Sequence, residues 1–75
     1  MPPLQQYYQD LLAQRVRGER HPSHQLLNRM EATLWTPDQV VDYVGLLLEK
    51  LEQQRYPSHQ LLDRIERMLT LAARA

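Results

Sequence analysis

Residues 20–34 read RHPSHQLLNRMEATL and residues 55–69 read RYPSHQLLDRIERML, so the chain carries an internal repeat offset by 35 residues. Ten of these fifteen positions are identical, and Met30/Ile65 and Asn28/Asp63 are close swaps. The same offset pairs Pro2 with Pro37, Tyr8 with Tyr43, Leu11 with Leu46 and Leu12 with Leu47. A match held in register along so much of the chain reads as a tandem duplication, with repeat 1 at about 1–35 and repeat 2 at about 36–70 of a single domain over 1–75. Each copy must then fold into the same local unit.

That unit reads as helix, proline-marked turn, helix. Leu4, Tyr8, Leu11 and Leu12 fall on one face at helical spacing, with Tyr7 and Val16 at its margins. Gly18 suits a helix end, with Pro22 shortly beyond. The second helix starts at Pro22-Ser23, where serine caps or proline takes the first turn. Its stripe is Leu26, Leu27, Met30 and Leu34.

Thr36-Pro37-Asp38-Gln39 combines a capping-box pattern, a first-turn proline and an acid against the positive helix end. The helix it opens carries Val40, Val41, Val44, Leu47, Leu48 and Leu51, widened by Tyr43 and Leu46, and reads as the most central. A helix apolar over so much of its circumference needs cover on more than one side. The last helix begins at Pro57-Ser58 and carries Leu61, Leu62, Ile65, Met68, Leu69 and Ala72. Strand-like alternation is absent. The expected fold is all-α, with helices at about 3–17, 23–34, 37–53 and 58–73 forming a four-helix, bundle-like arrangement of two αα-hairpins. The repeat length is near that of helical-hairpin solenoids, but two copies fall short of the roughly three such stacks need.

Length limits the core. A chain of 75 residues buries only about 60% of its unfolded surface, so small domains recruit disulfides, metals or partners. With no cysteine, disulfides and thiolate metal sites are excluded. A homodimer is the expected completion of the core, since two-fold dimers are the commonest soluble oligomers. The surface expected to meet a partner includes Trp35, Tyr43 and Leu46, with Arg29 and Arg64 flanking it. Eight arginines against one lysine suit such a surface. For Trp35 the favoured reading is a staple holding the inter-hairpin turn to the core, and the competing one a binding hot spot.

Nine basic and nine acidic side chains cancel. A nucleic-acid binder needs a basic excess to displace counterions from phosphates, so no nucleic acid is expected and a small helical DNA-binding regulator is a distant alternative. The basic amphipathic bias of a membrane-surface helix is also missing. Met1-Pro2-Pro3-Leu4-Gln5-Gln6 has neither a basic n-region nor an apolar h-region, and the chain reads as cytoplasmic.

Chemistry is sparse. The Pro-Ser-His-Gln tetrad recurs, placing His24 and His59 at equivalent helix starts with His21 nearby. A metal-binding or pH-responsive site is the sharp reading of these histidines, though a site needs three or four converging ligands. A turn copied with the rest of the repeat explains them more simply, and no metal or cofactor is expected. Ser23 beside His24 fits a helix cap better than catalysis. With only Gly18 and Gly45, the chain has no phosphate loop. The expected function is therefore a non-enzymatic protein–protein interaction module: an adaptor, assembly factor or regulator.

Overall fold

The computed structural model describes residues 4–74. All regular structure among them is α-helical: α1 (Leu4–Gly18), α2 (His24–Glu31), α3 (Pro37–Gln53) and α4 (His59–Arg74). The expected beginning of the first helix at Pro3, and the pairing of Pro2 with Pro37, lie outside the described residues. The chain divides into two compact units, Met1–Leu34 and Trp35–Ala75, at the seam between the repeats. In the first, α1 packs on α2; in the second, α3 packs on α4.

Local sequence sets the helix starts. The Leu26 amide donates to Ser23 Oγ, and the Leu61 amide donates to Ser58 Oγ, at 3.1 Å in both copies. The repeated tetrad is thus a repeated N-cap, satisfying one amide that the helix itself leaves unpaired. At α3 the expected capping box forms: the Gln39 amide donates to Thr36 Oγ1, and the Thr36 amide to Gln39 Oε1. Gln39 Oε1 also accepts from the Trp35 amide at 2.7 Å.

Gly18 closes α1 where expected, and does so without a positive φ. One helix end departs from expectation. Helix α2 stops at Glu31, short of the expected 34, while α4 runs on through the equivalent positions to Arg74. Further on, Pro37 holds Thr36 in extended backbone, with φ −122° and ψ 154°, and α2 closes before it. It does so in a tightened turn, with the Thr33 amide donating to Met30 O and the Leu34 amide to Glu31 O.

The buried residues are Gln9, Leu12 and Val16 on α1, and Leu27 and Met30 on α2. On α3 they are Tyr43, Val44, Leu46, Leu47 and Lys50, and on α4 Leu61, Arg64, Ile65 and Met68. The buried arc of α3 covers about 160° of the helix, at about 100° per residue, narrower than the roughly 220° over which its apolar side chains spread. Its position is shifted: Val41 and Leu48 face solvent, and Lys50 lies inside. No helix among the described residues is long and apolar enough to cross a membrane.

Candidate interaction surface

On α1 the buried stripe is not the one its leucines and tyrosines predict. Leu12 and Val16 face inward together with Gln9, whereas Leu4, Tyr7, Tyr8 and Leu11 are exposed. Gln9 was missed because a glutamine between Tyr8 and Leu11 gives no apolar signal. Its amide is held inside by hydrogen bonds, Nε2 donating to Thr33 O at 2.8 Å and to Thr33 Oγ1 at 3.0 Å. Tyr8 and Leu11 lie on the flank of α1 beside this buried stripe and are exposed. The exposed residues Leu4, Tyr8, Leu11 and Arg15 stand at i, i+4, i+7 and i+11, one continuous stripe along α1. A cavity of about 540 Å³ opens on this helix, lined by Tyr8, Leu11, Leu12, Gln14 and Arg15.

The repeat sets a contrast. The equivalents of Tyr8, Leu11 and Arg15 are Tyr43, Leu46 and Lys50, an aromatic, a leucine and a base in both copies. In the second unit all three are buried, Tyr43 and Lys50 to 1% exposure; in the first, Tyr8 and Leu11 are 45% and 41% exposed. Burial of Lys50 is tolerable because its long stem is apolar while its Nζ donates to Gln53 Oε1 at 3.2 Å.

This corrects three of the residues expected at a partner surface. Tyr43 and Leu46 lie on the buried arc of α3, and Arg64 is inside on α4, so none of them offers a free surface. Arg64 Nε is buried without a hydrogen-bond acceptor, although the residue has other interactions. Its repeat equivalent Arg29 is exposed. Trp35, expected to staple the turn, is instead 66% exposed in the segment that joins α2 to α3. Its neighbour Thr36 holds the cap and its own amide holds Gln39, so the backbone is fixed while the indole stands out.

His21, His24 and His59 are all exposed, the latter two as the first residues of α2 and α4. Among the described residues no three His, Asp or Glu side chains come together as a metal-ligand set.

No family model matches the chain, and neither a curated protein nor a solved structure matches it significantly.

Proposed function

We propose that this protein is a small non-enzymatic helical interaction module that associates with a second copy of itself and, in that form or alone, with another protein. The observation carrying this reading is the exposed stripe of α1. Leu4, Tyr7, Tyr8 and Leu11 form a contiguous aromatic and aliphatic face of the kind that marks protein-binding surfaces in small soluble domains. The second unit's use of the matching residues Tyr43 and Leu46 as core adds weight, since side chains of this composition are ones the fold otherwise removes from water. A short chain also has little apolar surface that it can leave wet without loss.

Sedimentation equilibrium tests the self-association. A mass above that of the 8.9 kDa chain at micromolar concentration supports it. A monomer mass persisting to about 100 μM, well above the dissociation constants of stable dimers, overturns it.

A further inference from the structure

Two outward faces of this chain are alike in apolar character and opposite in charge. The exposed stripe of α1 holds Leu4, Tyr8 and Leu11 and ends on Arg15, with no acid among its positions. The outward arc of α3 sets Val41, Gly45 and Leu48 beside Asp42, Glu49 and Glu52, with no base. Val41, Gly45 and Leu48 stand at i, i+4 and i+7, again one stripe along a helix. The chain's one lysine, Lys50, lies on the buried side and does not dilute the acidic face.

Gly45 sits in the middle of this stripe. Glycine is a poor residue for a helix interior, and its φ is not positive here. A Cβ built at Gly45 meets nothing within 4 Å, so packing inside the chain does not require it. The missing side chain leaves a notch between Val41 and Leu48, open to whatever approaches from outside.

We infer, resting on the self-association proposed above, that the outward face of α1 in one copy docks on the outward face of α3 in a second copy. Tyr8 and Leu11 cover Val41 and Leu48 across the Gly45 notch, and Arg15 meets the carboxylates beside them. Charge complementarity selects this occupant: a cationic apolar stripe is matched by an anionic apolar stripe on the same kind of chain. Two α3 faces brought together would instead oppose acids to acids, an arrangement that like-charge repulsion penalises, and two α1 faces would leave Arg15 without a carboxylate partner. A contact between unlike faces is reciprocated in a two-fold pair or repeats from copy to copy.

The test uses the full chain in sedimentation velocity over a concentration series, with circular dichroism to confirm unchanged helicity. Three variants are compared with the wild type: Arg15→Glu; the triple variant Asp42→Arg, Glu49→Arg, Glu52→Arg; and the two sets combined. All these positions are exposed, so folding should survive. Each single-face variant should weaken self-association by about tenfold or more, and the combination should restore most of it. Gly45→Arg, filling the notch, should weaken it as well. If the wild type associates and these variants associate equally, the pairing of α1 with α3 is wrong while self-association stands. If both single-face variants weaken association but the combination does not recover it, the two faces do not meet each other. A wild type that stays monomeric overturns this inference together with the reading it rests on, and the α1 face then belongs to a different protein.

Discussion

The side-chain amide of Gln9 on α1 donates to both the carbonyl oxygen and the hydroxyl of Thr33, at 2.8 and 3.0 Å, just beyond the end of α2. The Thr33 hydroxyl in turn donates to Met30 O at 2.6 Å. In the second repeat, Val44 and Met68 occupy the positions of Gln9 and Thr33, and both are buried. One hairpin therefore holds this point with a polar clamp where the other has apolar side chains. Gln9→Val alone should cost about 1–3 kcal/mol, because it strips a part-buried carbonyl and hydroxyl of their donor. Gln9→Val with Thr33→Met, copying the second repeat, should recover much of that loss. Urea denaturation of the two variants checks this, and a single substitution with no measurable cost would show that the clamp is idle.

Ser23→Ala and Ser58→Ala should each lower stability by about 1 kcal/mol, the usual value of a lost N-cap. Both hydroxyls accept one helical amide at 3.1 Å and are exposed, so nothing else depends on them. Self-association measured at equal folded fraction should not change. A loss of association in Ser58→Ala at full stability would make the repeated tetrad a binding element rather than a cap.

The paired leucines of α2 and α4 should respond in opposite order. Leu27 is buried and Leu26 half-buried, whereas Leu61 is buried and Leu62 half-buried. Leu27→Ala and Leu61→Ala should each cost roughly 2–5 kcal/mol, the range for fully buried leucines, and Leu26→Ala and Leu62→Ala clearly less. Chemical denaturation of the four variants decides it. Equal losses at Leu61 and Leu62 would contradict the rotation of α4 seen here.

Gly45→Ala should stabilise the monomer by about 0.5–1 kcal/mol. The residue lies mid-helix without a positive φ, and its Cβ would meet open space, so alanine gains helix propensity without a clash. The measurement belongs at low concentration, where self-association does not contribute. Destabilisation would mean that the space beside Gly45 is occupied.

Trp35 is the only tryptophan, and its exposure makes it a direct probe. Its fluorescence should be red-shifted and readily quenched by iodide in the native protein, changing little on unfolding. Trp35→Ala should alter stability by no more than about 0.5 kcal/mol, as at other surface positions. A blue-shifted, protected emission that moves on unfolding would restore Trp35 to the role of a staple.

The helices and their starts were legible because they depend on neighbours in the chain. Thr36, Pro37 and Gln39 make their capping box within a single turn, and Ser23 and Ser58 bond amides three residues on. All of that chemistry is local, so a short stretch of sequence contains both partners. The rotation of each helix about its axis was not legible. Tyr8-Leu11-Arg15 and Tyr43-Leu46-Lys50 are nearly the same words, yet one trio is exposed and the other buried, as Arg29 is exposed and Arg64 buried. Gln9, too, is held inside by a bond to Thr33 across 24 residues that no helical period announces. Burial belongs to the packed whole: an amphipathic helix with two apolar faces can bury either one, and its sequence alone carries no term that ranks them. The repeat and its local chemistry determined four helices and their caps; only tertiary packing decided which of the matching faces meets water.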